Sequence, residues 1–421
     1  MTIKPNPHRH PCFNVDVKGV FGRVHLPVAP RCNIMCNYCN RKYDCVNESR
    51  PGVTSAVLSP AQSVVYMDRV LEKEPRISTV GIAGPGDPMA NPQETLETIR
   101  LLREKHPGLL FCLSSNGLAL PAHLDDLAGL GVTHVTVTIN AVDPEVGGRF
   151  YRWVRDGKVI LRGREAAALM LERQIRSIKG LKERGITVKV NTIVCPGKND
   201  GHVVDVARTV AGLGADILNM IPLYPTEDTD FEGLPEPGKT IMSGLQSEAE
   251  EFIPLMRHCK RCRADAVGLL DQDRSGEFAG CLTACASSLP GQGSRPHVAV
   301  ATMEGLLVNK HLGEAEKLQI WTRQNGTYAM LEERWAPEPG GGAQRWESLA
   351  ETLKDCRAVL VSGVGQSPRK ILESRGVMPL EVEGFIEEAL RAVYTGHGLA
   401  GLKQRHAAGC GVACSGGGEG C

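Results

Sequence analysis

The sequence carries no net charge: 48 Lys and Arg balance 48 Asp and Glu across 421 residues. That removes the electrostatic case for a nucleic acid or an anionic membrane as partner. A long apolar run is also lacking. Even the stretch 297–308 is short and interrupted by Glu304, well under the ~20 residues that a membrane-spanning helix needs. Met1–His10 is polar, with two prolines and no apolar leader core, which predicts a cytoplasmic chain. Cysteine is almost missing between 290 and 409, where only Cys356 occurs.

Elsewhere cysteine is abundant. Of 15 in all, 11 precede residue 290, and Cys410, Cys414 and Cys421 crowd the end. In a reducing compartment such numbers point to metal or catalysis rather than disulfides. The distribution predicts a cluster-bearing domain over 1–290, a linker at 291–296, a second domain over 297–405, and a Cys/Gly-rich tail over 406–421.

The first domain alternates β-like runs with helical stretches. Val24–Ala29, Ser78–Ala83, Leu109–Ser114, His134–Asn140, Thr187–Val194 and Asp216–Ile221 read as strands. Helices are predicted at 60–74, 92–105, 121–130, 164–184 and 200–213, with Ser59-Pro60 and Asn91-Pro92 as capped starts. Six such repeats predict an α/β fold, a partial (β/α)6 barrel of parallel strands. Barrel chemistry gathers beyond the carboxyl ends of the strands. Arg31–Arg50, Gly84–Pro88, Ser114–Gly117, Asn140 and Asn191 fall there. The Pro- and Gly-rich segment 223–250 is expected to be a long loop or lid. Beyond 296, strands are predicted at His297–Met303, Leu306–His311, Lys317–Thr322, Thr327–Leu331 and Ala358–Ser362. Helices are expected near 346–355, 366–375 and 380–394.

Cys32-x3-Cys36-x2-Cys39 puts three thiols in one loop. Structural zinc prefers four ligands from paired motifs, and a redox CxxC leaves the third cysteine unexplained. A [4Fe–4S] cluster takes four ligands, so three would leave one iron open. Zinc and cluster both remain possible on spacing alone.

Placed after the first strand, with Tyr38 before its last cysteine, the motif resembles the radical S-adenosylmethionine (SAM) superfamily. The resemblance implies SAM chelated to the open iron and cleaved to a 5′-deoxyadenosyl radical. It implies that Gly84, Pro85, Gly86 and Asp87 form the methionine-binding turn, and that Tyr38, Ser114, Asn116, Asn140 and Asn191 contact the cosubstrate.

Residues 32–53, CNIMCNYCNRKYDCVNESRPGV, resemble more narrowly the NifB family of nitrogenase cofactor maturases. His10-Pro11-Cys12, Cys112 and Cys259-x2-Cys262-Arg263-x-Asp265 agree. The region after 296 is similar to a NifX-type domain, which implies a small RNase H-like α/β fold; HVAVAT (297–302), Val308-Asn309, His311 and Gly313 carry the match. NifB enzymes fuse two [4Fe–4S] clusters into an eight-iron, carbide-containing core. One SAM donates a methyl group and a second supplies the radical. The resemblance therefore implies two substrate clusters besides the radical one. One is expected on Cys12, Cys259 and Cys262, the other on Cys45 and Cys112, with His10 as a possible nitrogen ligand. A histidine common after the HPC motif is absent from 13–24, which leaves that role to His10 or His25, or to no residue at all. Glu48 and Asp265 are candidates for proton handling, although Glu48 could simply pair with Arg50, and Asp265 could brace the loop. Implied partners are cofactor scaffold or carrier proteins, an iron–sulfur cluster donor, and a low-potential ferredoxin or flavodoxin. The alternatives are another radical maturase with auxiliary clusters and a non-catalytic iron–sulfur scaffold.

Overall fold

Apolar β-branched runs alternate with amphipathic helices along the first 285 residues, and the chain folds accordingly. The computed structural model describes residues 6–45, 53–287, 295–324 and 326–395. It divides into two units, Met1–Cys285 and Ala286–Cys421.

In the first unit six parallel strands pair in chain order: β1 (Gly22–His25), β2 (Ile77–Ile82), β3 (Leu110–Ser115), β4 (His134–Thr138), β5 (Thr187–Val194) and β6 (Ile217–Pro222). This is the predicted partial barrel. Helices cross between them at Pro60–Lys73, Pro92–Lys105, Leu124–Gly129, Gly163–Glu183 and Val203–Gly212. Ser59 caps the first through a full capping box with Gln62. Asn91 does not cap the second. Its amide nitrogen donates to the carbonyls of Arg31 and Asp87 instead, tying the helix start to the cysteine loop. Val135, Val137, Val188 and Val190 are fully buried along the central strands.

Three elements depart from expectation. Val267–Leu269 adds an antiparallel strand outside β1. The segment 223–250 is not all loop, since Lys239–Glu250 is helical. Ile34–Cys36, inside the cysteine motif, is a short strand paired with Tyr151–Asp156, which turns back through Val159–Leu161. That small sheet gives the cysteine loop a rigid backing.

The second unit is a five-stranded sheet. Thr327–Trp335, Lys317–Gln324 and His297–Val300 run antiparallel, followed by Cys356–Val361 and Met378–Glu381 parallel to the last of them. This is the RNase H-like order. Alternation along His297–Val300 feeds both faces: Ala299 packs towards Trp346 and Leu349, and Val298 and Val300 towards Ile386, Leu390 and Val393. The helix predicted from 380 begins only at Ile386, because Met378–Glu381 joins the sheet.

Candidate functional site

The carboxyl ends of β1 to β4 converge on a hollow of about 450 Å³. Cys32, Cys36, Tyr38, Cys39 and Cys45 line it from the loop after β1, Gly86 and Asp87 from the turn after β2, and Ser114, Ser115 and Asn116 from the end of β3. Burial pushes the Cys32 thiol up to about 12 and lifts Cys36 and Cys39 as well. Such sulfurs stay protonated until a metal claims them. Three soft donors in one hollow, with strand-end polar groups beyond them, fit an iron–sulfur cluster with room for a small polar ligand.

The turn after β2 is bound to the cysteine loop. Gly86 N donates to Ala29 O at 2.6 Å, and Asp87 N to Arg31 O at 2.8 Å. A Cβ on Gly86 would lie 2.1 Å from the Arg31 carbonyl, so only glycine permits this approach. Asp87, 4% exposed, accepts from Asn116 N at 2.6 Å, Met89 N at 2.8 Å and Ser115 Oγ at 3.2 Å. Its carboxylate is thus a bolt between two strand ends. Asn116 Nδ2 donates to Asn33 Oδ1 at 2.7 Å.

A second hollow of about 510 Å³ is lined by His10, Cys12, His25, Cys112, Lys189, Cys259 and Cys262, among others. Ala83 and Ser114 line both hollows. Burial lifts the Cys12 thiol to about 12, and lowers His25 to about 4 with the help of Arg23 beside it. His25 Nδ1 sits 2.9 Å from the Arg263 carbonyl. A carbonyl only accepts, so Nδ1 carries the proton and Nε2 keeps its lone pair. His10 is the reverse. It is 1% exposed and packs on His134 with ring centroids 4.4 Å apart. Its Nδ1 accepts the Cys12 N–H at 3.2 Å, which leaves the proton on a buried Nε2 with no hydrogen-bond partner among the described residues.

The expected residues therefore fall into two sets. Cys32, Cys36, Tyr38, Cys39, Cys45, Gly86, Asp87 and Asn116 line the first hollow, and His10, Cys12, Cys112, Cys259 and Cys262 the second, with Ser114 between. The expected grouping of Cys45 with Cys112 does not match this division. Cys112 faces the same hollow as Cys12 because β3 turns it inward at its middle. Gly84 and Pro85, joined by a cis peptide bond, line neither hollow. Asn140 lines neither hollow but stands behind the wall of the first, donating to Tyr38 Oη at 2.8 Å and accepting from Ile193 N at 2.9 Å. Asn191 accepts from Asn219 Nδ2 at 3.1 Å. Asp265 is ion-paired with Arg263 at 2.9 Å and accepts from Ser55 N and Oγ, which is the bracing arrangement. Glu48 lies outside the described residues, as do Cys410, Cys414 and Cys421.

Sequence reasoning passed over Arg23, Lys189 and Asn219, and kept His25 only as a fallback. A signal was present: Arg23 and His25 alternate on β1, as Lys189 and Asn191 do on β5. Polar residues two apart in an apolar strand share one face, and a barrel interior is normally apolar.

The radical SAM superfamily model matches residues 26–210, and the dinitrogenase iron-molybdenum cofactor model residues 295–396. The FeMo cofactor biosynthesis protein NifB of Chlorobaculum tepidum is 50% identical over 99% of this chain and 99% of its own. That of Klebsiella pneumoniae is 39% identical over 88% of this chain and 86% of its own. That of Azotobacter vinelandii is 37% identical over 93% and 89% respectively. The chain, a radical SAM enzyme with a second, NifX-like unit, belongs to the NifB family of FeMo cofactor biosynthesis proteins.

Proposed function

We propose that this enzyme fuses two [4Fe–4S] substrate clusters and inserts a SAM-derived carbon to make an eight-iron cofactor precursor. The observation that carries the reading is the pair of sulfur-lined hollows with Ala83 and Ser114 as common wall. When bound in the first hollow, the resident cluster and SAM supply a methyl group and, on a second turnover, a hydrogen-abstracting radical. The chain's own residues do the rest. Cys32, Cys36 and Cys39 hold the cluster by three sulfurs, and the Gly86–Asp87 turn and Asn116 present backbone and amide groups to SAM. Tyr38, wedged against Phe150 and Phe231, closes one side to water.

In the second hollow Cys12, Cys259 and Cys262 present thiols to one substrate cluster, and Cys112 faces the same space. The nitrogen ligand there is His25 rather than His10, because the unprotonated nitrogen of His10 already accepts the Cys12 N–H, whereas that of His25 is Nε2, on the far side of the ring from the Arg263 carbonyl. Cys45, in the first hollow, is left for the other substrate cluster. A histidine among the ligands of one substrate cluster, and Cys45 alone for the other, avoid a cage of four thiolates and favour release of the product. The second unit holds the product or hands it to a carrier protein, in keeping with the family model it matches.

The test is anaerobic turnover with reductant, SAM and reconstituted clusters. Formation of both S-adenosylhomocysteine and 5′-deoxyadenosine, with a larger iron–sulfur species able to activate nitrogenase apoprotein, is the expected outcome. Radical product alone would favour a different maturase, and neither product would leave only a scaffold.

A further inference from the structure

Two buried N–H donors are aimed at the two sulfurs of Cys259-x2-Cys262. Arg23 Nε and Nη2 lie 3.3 and 3.1 Å from Cys262 Sγ. Its Nη1 donates to the carbonyls of Gly268 at 2.7 Å and Leu269 at 3.1 Å, which fixes the plane of the guanidinium. The side chain is 2% exposed. Its ion pair with Asp273 is long, at 3.9 Å, so the ionisable group nearest this buried cation is the Cys262 sulfur. Asn219 Nδ2 lies 3.4 Å from Cys259 Sγ and also donates to Asn191 Oδ1 at 3.1 Å, so Asn191 orients the amide. Each cysteine of the pair thus has its own donor, from β1 and from β6, strands far apart in sequence.

We propose that Arg23 and Asn219 are positioning residues that weaken Cys262 and Cys259 as iron donors, so that a substrate cluster is held there and still let go. This rests on the second hollow being a substrate-cluster site. An N–H···S bond draws electron density from the thiolate, weakens its donation to iron and raises the potential of the cluster. On release the Fe–Sγ bond breaks with both electrons staying on sulfur, and no external proton or reductant is required. The departing cluster leaves a buried thiolate that the Arg23 charge already faces, which removes much of the cost of uncovering it. A cysteine among alkyl groups would bind harder and release at greater cost.

The experiment uses the full chain with Cys32, Cys36 and Cys39 changed to Ala, so that the radical cluster does not contribute. It is reconstituted anaerobically with iron and sulfide, then followed by iron content, midpoint potential and the rate of iron loss to bathophenanthroline. Arg23→Met and Asn219→Leu are expected to load iron, to shift the potential more negative, and to lose iron several-fold more slowly. Arg23→Lys, which keeps charge but not the fork, should fall between. Unchanged potential and unchanged loss rate in folded variants would overturn the proposal while leaving the site. Faster loss at unchanged potential would show a merely structural role and overturn it too. If the background chain takes up no iron at all, the cluster-site reading itself fails. Should Arg23→Met fail to fold by circular dichroism, Asn219→Leu decides, since that amide bonds to the Asn191 side chain and Cys259 sulfur rather than clamping two backbone carbonyls as Arg23 does.

Discussion

The carboxylate of Asp87 accepts the backbone N–H of Asn116 at 2.6 Å, so the turn after β2 and the end of β3 are one rigid piece. Burial pushes this carboxyl upward, and the hydrogen bonds it accepts pull it back. Asp87→Ala would leave the Asn116 N–H and the Ser115 hydroxyl proton without an acceptor in the interior, at about 1–3 kcal/mol each. SAM affinity is expected to fall at least about tenfold, since 1.4 kcal/mol is a factor of ten. Equilibrium dialysis on the cluster-loaded chain measures it. Unchanged affinity would separate the turn from the cosubstrate pocket.

Gly81 pairs with His25 on one side and Cys112 on the other, and its bare Cα lets them converge. A Cβ there would lie 2.9 Å from His25 Cδ2 and 3.2 Å from Cys112 Sγ. Gly81→Val should therefore spoil the second hollow, lowering bound iron by about four per chain, one cluster's worth. Full iron content in this variant would remove His25 and Cys112 from the ligand set.

Ala83 faces both hollows, and a larger side chain there thickens the wall between donor and acceptor. Ala83→Leu is expected to lower methyl transfer to the cluster by tenfold or more, whereas cosubstrate cleavage uncoupled from transfer persists. Product ratios by chromatography give the answer. Equal loss of both products would place Ala83 in the cosubstrate pocket alone.

Glu74, 2% exposed, is ion-paired with Arg76 at 2.7 Å and Arg274 at 3.0 Å. These partners lower its carboxyl from 4.5 to about 2. A depressed carboxyl stabilises the fold above its unfolded pKa, and that contribution disappears as pH falls through the folded value. The stability advantage of the native chain over Glu74→Gln should be full above pH 4.5 and vanish towards pH 2. Urea unfolding of the metal-free chain at several pH values tests this; an advantage that persists at pH 2 would contradict it.

The strand–helix order of the first unit was legible because each repeat carries its own apolar run followed by a helical stretch. The Cys32–Cys39 loop and the Asp87 turn were legible because their chemistry is local in sequence. Arg23, His25, Lys189 and Asn219 were harder to read, since each is a single polar residue in a buried strand and gains meaning only when β1, β5 and β6 close on one interior. The same holds for Cys112, whose neighbours Cys12, Cys259 and Cys262 come from both ends of the unit. The strand at Ile34–Cys36 was hidden because its partner is a hairpin more than a hundred residues away. Asn91-Pro92 marked a helix start correctly, but its amide was drawn off by two carbonyls that only the tertiary fold supplies.

Two residues with small side chains, Ala83 and Ser114, border both chambers. With so slight a partition, a reactive carbon would never need to diffuse through bulk solvent between its source and its destination. Under the proposed reaction, selectivity becomes a matter of distance: the iron–sulfur body that sits against that shared border would react, and one held farther back would be spared.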